Sequence, residues 1–211
     1  MQINALAMPR VFNQPLTFNL PEKKLTVVIG QNGAGKSTLL NALARRLPEA
    51  AYLPQKNQIY DDMRVKELLA LGQQRAKNAP TVDILAALAI EPLLSQRMAT
   101  LSGGQQQRVW LAFVLCQQTP VVLLDEPLTG LDLRYQSRLA GLLRSLNVSV
   151  VMVVHDLNYA QCEADWVWVV HDQQLMAGTP GDMLQENFLS EVFNTPIRQH
   201  ITTEGMRYFD V

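Results

Sequence analysis

Leu25-Thr26-Val27-Val28-Ile29-Gly30-Gln31-Asn32-Gly33-Ala34-Gly35-Lys36-Ser37-Thr38 decides the fold. Its first five residues read as a buried strand. Its middle is glycine-rich. Its end opens a segment, Ser37 to Leu47, in which Leu39, Leu40, Leu43 and Leu47 share one helical stripe, with Pro48 just beyond. The stretch from Gly30 to Ser37 fits the spacing G-x-x-x-x-G-K-S/T of a phosphate-binding loop. Gly30, Gly33 and Gly35 let the backbone turn tightly and aim N–H groups at anionic oxygens. The start of the following helix adds its positive dipole end. Gln31, Asn32, Ala34 and Thr38 complete the cradle. Lys36 is placed to reach the β- and γ-phosphates of a nucleotide, and Ser37 to offer a hydroxyl to Mg²⁺. An ordinary glycine turn has no need of a lysine and a hydroxyl at these positions.

Further along, two more apolar runs end in polar side chains. Val121 to Leu124 runs into Asp125 and Glu126, and Val148 to Val154 runs into His155. Open α/β sheets bind ligands at the carboxyl ends of their strands, where all three side chains would emerge. Asp125 suits a Mg²⁺ ion held through water, and Glu126, one residue on, suits the attacking water. His155 suits the γ-phosphate side of the same pocket.

Uninterrupted apolar strands alternating with helices imply a mostly parallel sheet covered on both faces. Ala51 to Leu53, Trp166 to Val170 and Leu175 to Ala177 add short strands. Leu133, Leu139, Leu142, Leu143 and Leu146 mark a helical stripe. From Asp61 to Gln118 the pattern turns helical, over Val65 to Arg75, Val82 to Ile90 and Gly104 to Gln117. The expectation is one 211-residue ATPase domain, with a catalytic core over 1–60 and 119–211 and a helical subdomain over 61–118. A further helix is expected around Phe188 to Phe193, followed by a tail that no pattern assigns. Apolar residues make up 48% of the chain, enough for a full core. A formal net charge of −1 gives no argument for a large nucleic-acid or acidic-membrane surface. Cys116 and Cys162 lack metal-ligand spacing and both read as buried thiols in helices. Met1-Gln2-Ile3-Asn4 lacks the basic start and apolar run of a secretory signal, and no apolar run is long enough to span a bilayer.

Leu101-Ser102-Gly103-Gly104-Gln105, followed by Gln106-Gln107-Arg108, resembles the signature motif of ABC transporter ATPases, the ATP-binding cassette subunits. Gln55 in Leu53-Pro54-Gln55 is similar to the family's Q-loop glutamine. Leu131-Asp132 resembles the D-loop, and His155-Asp156 the switch histidine. These motifs stand in the family's order from Gly30 to Asp156. The resemblance implies a P-loop NTPase fold with an inserted α-helical signature subdomain and an antiparallel β-subdomain. It implies ATP and Mg²⁺ as cofactors, with Ser37, Gln55 and Asp125 at the metal. Glu126 would polarise water, His155 would contact the γ-phosphate and Gln55 would sense a membrane partner. Ser102, Gly103, Gly104 and Gln105 precede or open a helix and form a second anion nest, which in the family caps the ATP of the opposite subunit in a head-to-tail homodimer. By itself, Ser102-Gly103-Gly104 is also what an ordinary helix cap looks like.

Two departures stand out. The gap from Lys36 to Gln55 is short, so the antiparallel β-subdomain should be trimmed. The family's adenine-stacking aromatic is absent from its usual spacing, where Ala7 and Met8 stand instead. Phe12 is the nearest ring but stands a few residues late, and Phe12 and Phe18 read as core residues of the first strands. Gly178 to Asp182 and Leu189 to Phe193 resemble the ends of ATPases from importers of iron–siderophore complexes, haem and vitamin B12, and a zinc or manganese importer is the related alternative. Partners would be polytopic permease subunits and a separate substrate-binding protein, with no nucleic acid. The location would be peripheral, on the cytoplasmic face of the inner membrane. A soluble relative acting on DNA or the ribosome, or a simple P-loop kinase, lacks support in the insertions or the acceptor site each needs. The stretch from Gln55 to Met63, with Ile59 and Tyr60 as apolar anchors, is expected to form the groove that receives a helix of the membrane subunit.

Overall fold

The computed structural model describes residues 1–9, 11–57, 62–76 and 83–211. Its strands are β1 (Gln2–Leu6), β2 (Leu16–Asn19), β3 (Leu25–Ile29), β4 (Ala51–Leu53), β5 (Val121–Asp125), β6 (Ser149–Val153), β7 (Trp166–His171), β8 (Gln174–Gly178), β9 (Arg198–Ile201) and β10 (Arg207–Asp210). Its helices are α1 (Lys36–Arg46), α2 (Val65–Gln73), α3 (Ile84–Ala87), α4 (Gly103–Leu115), α5 (Leu133–Ser145), α6 (Leu157–Glu163), α7 (Pro180–Met183) and α8 (Glu186–Phe193). A six-stranded sheet in the order β4-β5-β6-β3-β7-β8 forms the centre. All its pairs are parallel except β7–β8. The fold is thus α/β with a mostly parallel sheet, as the apolar runs imply.

Every residue of β3, β5 and β6 is buried, because both faces of these strands are covered. Val151 and Val153 pack with Val28, Leu39, Leu40 and Leu43 on the α1 side. Val150 and Met152 pack with Leu111, Leu139 and Leu143 on the opposite side. This alternation is the period of two of a strand in a three-layer stack. The antiparallel part expected to be trimmed is, among the described residues, the pair β1–β2 on the α1 side. Phe18 of β2 meets Trp168 edge-on at 4.9 Å between ring centres.

The segment after β4 is helical where described: α2, α3, two short 3₁₀ turns (Glu91–Leu93 and Met98–Thr100) and α4. The helix expected over Val82 to Ile90 is a single turn, α3, capped by Asp83 through a 3.0 Å bond from the Ala86 N–H. Ala89, with φ of 48°, ends it, and Val82 lies outside the described residues. Leu133 leaves its expected stripe: it is 82% exposed at the first turn of α5, while Leu139, Leu142 and Leu143 carry the buried face. Six residues at 100° each set Leu133 about 120° away from Leu139. Cys162 is exposed, unlike buried Cys116, because Ala160 takes the inward position of α6 and Cys162 points the other way. The tail forms the hairpin β9–β10, pinned to α6 by paired bonds between the Asn158 side chain and the Phe209 backbone. Among the described residues no helix is long and apolar enough to cross a membrane.

Candidate functional site

The loop between β3 and α1 is shaped by contacts that only glycine permits. A Cβ on Gly30 would lie 2.4 Å from the Val170 carbonyl oxygen, and one on Gly35 would lie 2.1 Å from Val11 Cγ1. Gly35 also caps α1 with φ of 101°, a left-handed conformation that costs other residues roughly 1 kcal/mol or more. The first-turn N–H groups of α1 have no partner within the helix. Lys36 is buried, and its Nζ donates to the carbonyls of Gly30 and Gln31, both at 2.8 Å. Burial pulls its pKa down, while the nearby carboxylates of Glu126 and Asp125 push it back up. Ser37 Oγ donates to Asp125 Oδ1 at 3.1 Å.

Asp125 ends β5 and is only 2% exposed. Burial raises its pKa, against the hydrogen bond from Ser37; Glu126 adds to the rise, and Lys36 and His155 oppose it. Glu126 follows in left-handed backbone, φ 51°, which turns its side chain out of the strand line. His155, just past β6, brings its Nε2 to 2.8 Å from Glu126 Oε1. Burial would raise the pKa of Glu126, but hydrogen bonds from His155 and Gln55, with the charges of His155 and Lys36, hold it below the ordinary value. The carboxylate is therefore an anion that accepts hydrogen bonds. Lys36, Ser37, Gln55, Asp125, Glu126 and His155 come together from four separate segments, as their motifs imply.

Ser102 caps α4 in a reciprocal box with Gln105. The Gln105 N–H donates to Ser102 Oγ at 3.3 Å, and the Ser102 N–H to Gln105 Oε1 at 2.9 Å. Ser102 and Gly103 are exposed. Among the described residues, no hydrogen bond joins this nest to Gly30–Thr38 of the same chain. Gly104 instead abuts the turn after Glu126, where an added Cβ would be 2.7 Å from the Gly130 carbonyl oxygen. Asp132 caps α5 through a 3.1 Å bond from the Tyr135 N–H.

The family model described as "ABC transporter" matches residues 13–51 and 46–129, from before the phosphate loop to beyond the signature and Glu126. The chain belongs to the ABC transporter family. It is an ATP-binding ATPase of that family. It is 37% identical to the achromobactin transport ATP-binding protein CbrD of Dickeya dadantii, over 87% of this chain and 82% of that protein. It is 34% identical to the hemin import ATP-binding protein HmuV of Shewanella denitrificans, over 85% of this chain and 86% of that protein. A solved inward-facing metal-chelate type ABC transporter superposes with a TM-score of 0.78 at 25% identity, covering 93% of this chain and 89% of that one.

Phe12, the ring nearest the family's adenine-stacking position, lies in the core as the sequence reading favoured. Phe12 is 1% exposed and packs in the core beneath β1–β2, so it presents no ring to a base. A cleft of about 720 Å³ opens instead beside Ser37 and Thr38. Asn41, Ala42 and Arg45 of α1 floor it, and Leu6 to Pro9, Val11 and Tyr52 wall it. Met8 lines this cleft though largely buried. Tyr52, whose phenol is pushed up to about 12 by burial and then by Asp125, supplies an aromatic ring that its place in β4 did not announce. Residues 58–61, with the proposed anchors Ile59 and Tyr60, lie outside the described residues. In the sequence reading Gln107 figures only as part of the signature segment, and Gln136 is not singled out; both brace the turn after Glu126.

Proposed function

We propose that this chain hydrolyses Mg-ATP as one of two identical subunits that drive import of an iron–siderophore complex or haem. The carrying observation is the Glu126 carboxylate, held 2.8 Å from His155 beside Lys36, Ser37 and Asp125. An anionic acceptor there orients and polarises a water molecule. Lys36 neutralises the β- and γ-phosphates, and the Gly30–Thr38 cradle binds them. His155 contacts the γ-phosphate and keeps Glu126 aligned.

The oxygen donors of Ser37, Gln55 and Asp125 suit Mg²⁺, a hard cation that keeps several waters and shares its ligands with phosphate. Bound there, Mg²⁺ would neutralise charge on the phosphates.

The cargo class rests on relatives named for siderophore or hemin transport, including the petrobactin import protein FpuD of Bacillus anthracis at 34% identity. They favour this reading over a zinc or manganese importer. The chain would act as a single domain, with 61–118 as its helical subdomain. It would lie on the cytoplasmic face of the membrane under permease subunits, fed by a separate substrate-binding protein. The Ser102–Gly104 nest, exposed at Ser102 and Gly103 and not hydrogen-bonded to its own phosphate loop among the described residues, supports composite sites in a head-to-tail homodimer.

Glu126→Gln tests the reading. It should bind ATP, turn over at least a hundredfold more slowly, and elute as a dimer on size exclusion with Mg-ATP, since a lost catalytic base typically costs 10²–10⁴-fold. A variant that stays monomeric at high concentration refutes the composite sites, and one with normal turnover removes Glu126 from catalysis.

A further inference from the structure

The signature helix and the catalytic turn of the same chain are fastened together. Gln107 Nε2 of α4 donates to the carbonyl of Pro127, the residue after Glu126, at 3.0 Å. One helical turn earlier on the same face, Gly104 sits so close to the Gly130 carbonyl that no side chain fits between them. The first turns of α4 therefore hold both ends of the segment Pro127–Gly130. From the other side, Gln136 of α5 donates to the carbonyls of Leu128 and Leu131 at 3.3 and 2.9 Å. Within the turn, the Thr129 N–H donates to the Glu126 carbonyl at 3.2 Å. Glu126 itself is in left-handed backbone, so the direction of its carboxylate depends on how this turn is held.

We infer that Gln107 is a positioning residue that transmits the placement of α4 to the Glu126 carboxylate of the same chain. The inference rests on the composite-site reading, in which the Ser102–Gly104 nest meets the nucleotide held by the second copy. A phosphate docking on that nest pulls on the N-terminus of α4. The Gln107–Pro127 bond and the Gly104–Gly130 contact carry that displacement to the turn after Glu126. Each ATP thus aligns the catalytic carboxylate of the subunit that caps it, as well as using the carboxylate of the subunit that binds it. Two sites linked this way turn over cooperatively. Gln107 points at a backbone carbonyl and not at the phosphate cradle, so its loss leaves nucleotide binding in its own chain intact.

The test is steady-state ATPase kinetics of the purified full chain. Gln107→Leu removes the donor at similar size. Its kcat should fall about tenfold, the scale of one lost hydrogen bond. Its KM for ATP should stay within about twofold, and its Hill coefficient should fall toward 1 from the higher wild-type value. Gln107→Lys, whose ammonium reaches the same carbonyl, should recover most of both quantities. Should Gln107→Leu fold poorly, Gln107→Glu keeps the shape, repels the carbonyl and should show the same loss. A Gln107→Leu protein with wild-type kcat and Hill coefficient overturns the inference. So does a loss that Gln107→Lys fails to relieve. Size exclusion of Gln107→Leu combined with Glu126→Gln separates this from the underlying reading. An ATP-dependent dimer there leaves the composite sites standing whatever the kinetics show. Absence of a dimer in Glu126→Gln alone overturns the composite sites and the inference with them.

Discussion

Asp125→Asn should make the nucleotide-free protein more stable while destroying its ATPase activity. The carboxylate is 2% exposed and, among the described residues, accepts a hydrogen bond from Ser37 at 3.1 Å. Lys36, whose charge acts on Asp125, spends its ammonium on the Gly30 and Gln31 carbonyls. The next residue, Glu126, is a second anion. The charge is thus buried with little to compensate it, which is why burial lifts its pKa. Asparagine keeps the shape and the acceptor for Ser37 and deletes the charge. Replacing under-compensated buried charge is commonly neutral or stabilising, by up to about 4 kcal/mol. The Ser37 bond and the field of Lys36 place this site at the lower end, about 1–2 kcal/mol. For a chain of this size that is roughly a 2–8 °C rise in Tm. The pH dependence has a definite sign. With a folded pKa above the unfolded one, Asp125 in the folded chain holds a proton that the unfolded chain has released. Its contribution is therefore best below the ordinary aspartate value and is lost as pH rises through the raised folded value. The asparagine variant lacks that loss. Glu126, with a lowered pKa, acts oppositely: its stabilisation is present above the ordinary glutamate value and is lost as pH falls through the folded one. The assay is urea unfolding in chelator from pH 4 to 8 for both proteins. Mg-ATP at a hundredfold excess over Kd should add about 2.7 kcal/mol to the wild type and much less to the variant. A variant clearly less stable than wild type at pH 7 without metal would refute the argument, because the carboxylate would then be net stabilising in the empty fold.

Phe12→Ala should cost about 3–5 kcal/mol of stability by opening a cavity under β1–β2, while the ratio of kcat/KM for ATP over GTP stays constant. A changed ratio in a folded variant would return Phe12 to the base site. For the wild type, that ratio should lie within roughly tenfold, about 1.4 kcal/mol, if the cleft's apolar Leu6–Pro9 and Val11 wall meets the base while Asn41, Arg45 and Tyr52 make no base-specific contact, so that recognition falls on the phosphates. A preference above a hundredfold, measured on the purified protein, would reveal a base-reading contact in that cleft.

Local chemistry made the phosphate loop, the strand-end acids and the signature legible in the sequence, because each rests on neighbouring residues. Gly30 to Ser37 need only a strand before them and a helix after them, and β3 and α1 supply both. Val121 to Glu126 and Val150 to His155 likewise place their polar ends by the length of an apolar run. Side-chain direction was less legible. Leu133 and Cys162 belong to helices as read, yet both are exposed, since a helix face is chosen by what packs against it. Phe12 could have faced a base or the core, and burial under β1–β2 decided for the core. The sequence by itself determined which residues make up the proposed site, since loop geometry and strand ends follow from short-range patterns. Only the tertiary structure decided how they cooperate. The 2.8 Å meeting of His155 with Glu126, the cleft along α1 and the Gln107 tie each join segments far apart in the chain, and no local periodicity encodes such distances.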